Sequence, residues 1–327
     1  MILYYTARLL CLCLASFFLV NGVVGFLTAF ASRAVVRTAE SMRPRSAARL
    51  LFAIRVFPCA LAVGVVLALC LPSYLWLEPH ASSERTGWVC LTLALLGAMG
   101  CLDSLARVAR AFAASWRFKR AWQQAGCETL LPGESSKAVI VEQASPLLAL
   151  TGVFHPRLVV SQSVMRSLSA EELHLALQHE SAHLVSRDNL KRLVILLVPR
   201  SIPFFRGFSS LDHSWAKLSE WAADDEAVHG DSRRALSLAA ALLRVARIGT
   251  APRLSFLDTS LCAGDHDLSA RVDRLLGIES GSAKPLARTQ SLSIGPVFGT
   301  AVGFAIFLAA WPAILSSVHR LLELFLR

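Results

Sequence analysis

His179-Glu180-Ser181-Ala182-His183 is the segment whose residue types and spacing bear most directly on chemistry. Residues at i and i+4 share one face of a helix, so two imidazoles four apart can grip one zinc ion, at about 2.0–2.1 Å each. Glu180 projects beside that face. It is placed to take a proton from a zinc-bound water, the general-base step of peptide hydrolysis. Two histidines need a third partner. Glu220-Trp221-Ala222-Ala223-Asp224 repeats the i, i+4 arrangement with carboxylates. Glu220 then completes the ligand set and leaves one position open, while Asp224 accepts the outer N–H of a ligating histidine and fixes its tautomer. A charge run such as Glu220, Asp224, Asp225 and Glu226 is ordinarily a solvated helix face; the pentapeptide upstream tips the reading toward ligation. An oxyanion donor stays unassigned among His155, His213 and His229, since a lone histidine is more often structural. His174 lies off the His179 face, and Arg187-Asp188 reads as an ion pair at a helix end.

These side chains need helices and a sheet to hold them. Ser169-Ala170-Glu171-Glu172 is a capping box that opens a helix running to about Ser186. Asp212 reads as the N-cap of a second helix that Gly230 ends. A third helix covers 232–248 and a short fourth Leu268–Leu276. Ala138–Glu142, Pro146–Leu150 and Leu158–Ser161 read as strands, and 103–125 as a long helix. Leu193–Pro199 is an apolar run between Arg192 and Arg200, too short to span a bilayer; it is either a core element or, as the cationic fences favour, an interfacial contact.

The chain has 327 residues, 54% hydrophobic and only 17% charged, with a net charge of +10. Soluble proteins carry about 25% charged residues, so a purely soluble enzyme and a disordered chain are both disfavoured. The apolar excess is concentrated in uncharged stretches at Leu9–Ser32, Val56–Leu77, Thr86–Leu102 and Thr289–His319. About 20 apolar residues cross a bilayer as a helix, which predicts four spans, at about 9–32, 56–77, 86–105 and within 291–327. The first is too long for the apolar core of a signal peptide and reads as retained. Arg33, Arg37, Arg43, Arg45 and Arg49 mark the first loop as cytoplasmic. The N-terminus is then outside, the segment 116–290 cytoplasmic and the C-terminus outside, in a multi-pass protein of a bacterial cytoplasmic (inner) membrane. Between 107 and 288 there are 23 Lys/Arg against 18 Asp/Glu, with no basic run or aromatic platform for nucleic acid. Six of eight cysteines fall in spans and no CxxC occurs, so neither a disulfide framework nor a cysteine metal site is expected.

Leu148–Ser161 (LALTGVFHPRLVVS), Leu173–Leu190 (LHLALQHESAHLVSRDNL), Glu220–Ala227 and Leu268–Leu276 (LSARVDRLL) together resemble the membrane metallopeptidases of the β-lactam sensor-transducer (BlaR/MecR) type. The likeness to prenyl-protein and heat-shock membrane zinc peptidases is more distant. The resemblance implies a mostly α membrane protein. Three transmembrane helices and a basic loop fill 1–115, an α+β, gluzincin-like zinc-peptidase domain fills 116–290, and a fourth helix with a short tail fills 291–327. It implies one zinc per chain held by His179, His183 and Glu220, with Glu180 as base and Asp224 behind a ligand. It also implies an endopeptidase acting on a cytoplasmic or membrane-associated regulatory protein, with a transcriptional repressor as one candidate. In related zinc peptidases the substrate joins a sheet edge, here expected at Pro146, Leu147, Leu148, Ala149 and Leu150. The sensor-transducers carry a penicillin-binding domain after the last span; only about eight residues follow His319 here, so β-lactam sensing is not expected. The alternatives are a non-catalytic, zinc-containing signalling scaffold or a peptidase of the prenyl-protein or heat-shock branch.

Overall fold

The computed structural model describes residues 2–77, 87–130, 137–142, 146–199, 207–249, 257, 259–261, 265–279 and 317. The chain opens with α1 (Ile2–Glu40), then α2 (Pro44–Val65), which passes through one π-helical turn at Val66–Cys70 into α3 (Leu71–Leu77). α4 (Trp88–Ala125) follows. Three helical segments, Tyr5–Glu40, Pro44–Trp76 and Trp88–Arg120, are long and apolar enough to cross a membrane. The fourth span expected within 291–327 lies outside the described residues, as do the loop at 78–85 and the segment 201–206.

The expected third span and the long helix after it are one rod of 38 residues. Asp103 does not end it, because Arg107 one turn on donates to its carboxylate at 2.9 Å. At 1.5 Å per residue, α1 and α4 are each nearly 60 Å long, about twice the thickness of the hydrocarbon core. One part of each therefore projects beyond the bilayer. α1 packs on α2 and α4. At the α1–α4 crossing a Cβ on Gly97 would sit 2.7 Å from the Leu14 carbonyl oxygen, so only glycine admits this approach.

A five-stranded sheet stands on this base, built from β1 (Gly126–Leu130), β2 (Lys137–Val141), β3 (Leu148–Thr151), β4 (Arg157–Ser161) and β5 (Thr259–Ser260). Their order is β1-β2-β4-β3-β5. β2 and β4 run parallel and the other pairs antiparallel. Side chains alternate between faces along each strand. Leu147, Ala149, Val139, Val141 and Val159 meet Phe118 of α4 on one face. Ala138, Leu148 and Val160 enter the main core on the other. That core is closed by α5 (Gln162–Ser167), α6 (Ala170–Ser186), α9 (Ser232–Ile248) and α10 (Asp265–Glu279).

The expected edge strand is not an edge. β5 pairs with Ala149 and Leu150 on the outer side of β3, and the Leu261 amide donates to the Leu148 carbonyl. The open side of Leu148–Leu150 is thereby taken by a segment more than 100 residues later in the chain.

α6 begins as expected. Ser169 accepts from the Glu172 amide while the Glu172 side chain accepts from the Ser169 amide. Arg187, in the left-handed region at φ 56°, turns the chain into α7 (Asp188–Leu197). The run Leu193–Pro199 is thus the end of a helix, with Leu193, Ile195, Leu196 and Val198 buried. Its terminal carbonyls accept from the membrane helices, Val198 from Arg107 and Pro199 from Asn21. α8 spans Gly207–Val228, so Asp212 is an interior residue rather than the expected N-cap. It pairs at 2.7 Å with Arg55 of α2, whose side chain is 1% exposed. Gly230, at φ +76°, follows the helix end as expected. α8 rests on α1 and α2 through Phe208, Leu211, Trp215 and Leu218, which join Ala29, Ala47, Ala48 and Leu51 in one core.

Candidate metal centre

α6 and α8 cross over small residues, Ala176, Ala223 and Ala227 among them. This closeness brings the two i, i+4 pairs together. His179 and His183 are wholly buried, and their Nε2 atoms face each other at 3.2 Å. Glu220 reaches between them from α8, with Oε2 3.4 Å from His179 Nε2 and Oε1 3.6 Å from His183 Nε2. The three residues offer donor atoms that all lie within 4.8 Å of one another. Among the described residues this is the one such group.

Each imidazole has its outer nitrogen on a carboxylate. His179 Nδ1 lies 3.0 Å from Asp224 Oδ1, the role expected of Asp224. His183 Nδ1 lies 2.8 Å from Asp188 Oδ2. The ion pairs of Asp188 are thus with His183 and Lys191, not with Arg187. Asp188 also accepts from Ser219 at 2.8 Å and from Lys191 at 2.8 Å. These contacts present both Nε2 atoms to a common point, the arrangement that orients imidazole ligands in metal sites. Two imidazoles and a carboxylate are also a donor set that zinc accepts with a position to spare. The residues fit the ion.

Arg271 of α10 completes the group, and nothing in the motif reading singled it out. Its guanidinium donates to both Asp224 oxygens at 2.7 and 2.9 Å and to the Leu261 carbonyl at 2.7 Å. It also lies 3.3 Å from Glu220 Oε2. An arginine inside the short helix expected at Leu268–Leu276 was the available signal, but sequence spacing alone does not say which carboxylate such a residue will meet.

Burial disfavours the charged form of both imidazoles, yet the facing carboxylates prevail. Hydrogen bonds with Asp224 and Glu220 hold His179 above its ordinary value. Glu220 and Asp188 push His183 up to about 10. Burial likewise opposes ionisation of Glu220 and Asp224, but His183 and Arg271 respectively hold them down, Glu220 well below the usual carboxylate range and Asp224 at about 2. Glu180 differs. Burial dominates and pushes its carboxyl up, and both its oxygens are buried without a hydrogen-bond partner. A carboxylate raised toward neutrality suits a general base.

The single histidines stay outside. His155, His213 and His229 are exposed and none joins the group, and His174 bonds Gln178 on the outer face of α6. Beside His183 opens a recess of about 390 Å³, walled by Leu150, Val153, Leu184 and Leu190 with Phe154 at its rim.

A family model described as BlaR1 peptidase M56 matches residues 81–275, more than half of the chain and every residue of the metal group. Over 82 residues the chain is 40% identical to a "Protease HtpX homolog" of Archaeoglobus fulgidus. That match covers 24% of this chain and 23% of the relative, so the chain spans about a quarter of the length of the curated relative it matches.

Proposed function

The chain belongs to the BlaR1 peptidase M56 family, and from that membership we propose that it is a zinc-dependent endopeptidase embedded in a bacterial cytoplasmic membrane. Its proposed substrate is a cytoplasmic or membrane-associated regulatory protein, a transcriptional repressor being the first candidate. The observation that carries this reading is the convergence of His179, His183 and Glu220 within 4.8 Å beside a buried, unpartnered Glu180 carboxylate.

His179, His183 and Glu220 would hold the zinc, which supplies Lewis acidity toward the scissile carbonyl. Glu180 takes the proton of the attacking water and returns it to the leaving amine. Asp224 and Asp188 keep the imidazoles turned toward the metal, and Arg271 keeps Asp224 and Glu220 ionised and in place. The recess beside His183, lined by apolar side chains together with Arg187 and Asn189, takes a substrate side chain next to the scissile bond. The arginines at 33–49 support a cytoplasmic side for the peptidase part.

The test compares the full-length protein with Glu180→Gln in lipid. Both variants are expected to bind one zinc per chain, and the variant to cleave a co-expressed repressor or casein at least about 100-fold more slowly. Equal cleavage would overturn the assignment. A second reading, an HtpX-like protease acting on membrane proteins, is favoured by the 82-residue match. New protein termini that depend on Glu180 and map to membrane proteins rather than to a repressor would select it.

A further inference from the structure

A second cavity, of about 360 Å³, lies behind α6. None of His179, Glu180 and His183 lines it. Its walls are the opposite face of α6, the start of α7, the C-terminal half of α8 and the first two turns of α2. Ala48, Ala182 and Ala222 form much of its surface, so small side chains leave the space open. Three cations border it, Arg45, Arg49 and Lys191, against two carboxylates, Asp188 and Glu226.

These charges are unequally committed. Lys191 is held by Asp188 at 2.8 Å. Arg45 meets Glu226 at 3.2 Å, but both side chains are more than half exposed, and such a pair is weak because water competes for it. Arg49 is exposed and engages no carboxylate among the described residues. Two guanidinium groups one helical turn apart therefore stand at the mouth of a cavity with little to hold them. Guanidinium forks match phosphate oxygens in pairs. The cavity mouth also lies next to the Ser41–Arg43 turn between α1 and α2, the end of the membrane hairpin where arginines cluster.

We propose that this cavity is a binding site for a phosphate-bearing anion, clamped by Arg45 and Arg49. The anion is a phospholipid headgroup or a soluble phosphate compound; both present the same oxygens. None of the three metal ligands lines the site, and Asp188, which holds His183, is the residue that the two share. Glu226 is its competitor, since it draws Arg45 away from the cavity.

The test uses the full chain in a phosphate-free maltoside detergent. Inorganic phosphate is titrated at constant ionic strength, and a parallel series adds phosphatidylglycerol to the micelles; calorimetry and melting temperature are read. Saturable binding of phosphate supports a soluble ligand, and saturable stabilisation by phosphatidylglycerol alone supports a headgroup. In either case Arg45→Gln/Arg49→Gln is expected to weaken binding by about tenfold. Glu226→Gln should strengthen it, an outcome that misfolding would not produce. Arg33→Gln/Arg37→Gln removes the same charge elsewhere on the hairpin and should leave binding unchanged. Binding of neither probe, or equal loss in the two arginine double variants, overturns the proposal.

Discussion

Asp188 touches none of the three facing donor atoms and Arg271 touches only Glu220 Oε2, yet these two residues decide how the ligands are held. Replacing Asp188 with Ala is expected to weaken zinc affinity by about 10- to 100-fold, read by chelator competition. Glu180→Gln serves as the control that leaves affinity unchanged. Arg271→Met leaves Asp224 buried without its counter-charge and should cost about 3–5 kcal/mol of stability, visible as a lowered melting temperature. The proton balance also has a definite sign. Without metal, both imidazoles carry raised pKa values, His183 up to about 10, so His183 is protonated at neutral pH and must lose that proton to become a ligand. Zinc affinity should therefore rise as pH increases and go on rising toward that value; equal affinity at about pH 6 and about pH 8 would contradict it. At this scale the convergence of His179, His183 and Glu220 was legible because i, i+4 spacing is a local property of one helix. Asp188 and Arg271 were not, because each meets its partner across a helix–helix contact that no local spacing encodes.

Helix α8 ties the metal group to the membrane helices. Its Glu220 and Asp224 serve the centre, while Asp212, about two turns earlier, is held by Arg55 of α2. Arg55→Met should cost about 3 kcal/mol, because part-buried Asp212 then loses the Arg55 guanidinium at 2.7 Å, and Arg55→Met/Asp212→Leu should recover much of that loss. Thermal unfolding of the two variants in the same detergent checks this. Gly97→Leu should loosen the α1–α4 crossing, since even a Cβ there meets the Leu14 carbonyl, and lower the melting temperature further than Gly64→Leu, where no neighbouring atom lies within 4 Å. Among the elements, α6 and α9 were readable from caps and period. β1 and β5 escaped notice, and β5, with two residues, is too short to carry any alternation. The free edge assigned to Pro146–Leu150 was lost to that strand.

Across the whole molecule, the arginine-rich end of the α1–α2 hairpin predicts a sidedness. A cysteine placed at Ser41 should react with an impermeant maleimide only after the cell is opened, whereas labelling of intact spheroplasts would reverse the topology. The three membrane helices were visible in composition alone, since hydrophobic stretches near 20 residues have few other uses. What composition could not convey is that the polar part does not sit apart from them. Phe208, Leu211, Trp215 and Leu218 of α8 share their core with α1 and α2. Cut loose at residue 116, the peptidase part would bare an indole and three large apolar side chains to water along the very helix that carries Glu220. A soluble fragment is therefore expected to aggregate or to misplace its third ligand. Inhibitor screens and enzymology on this protein need the hairpin kept as part of the reagent.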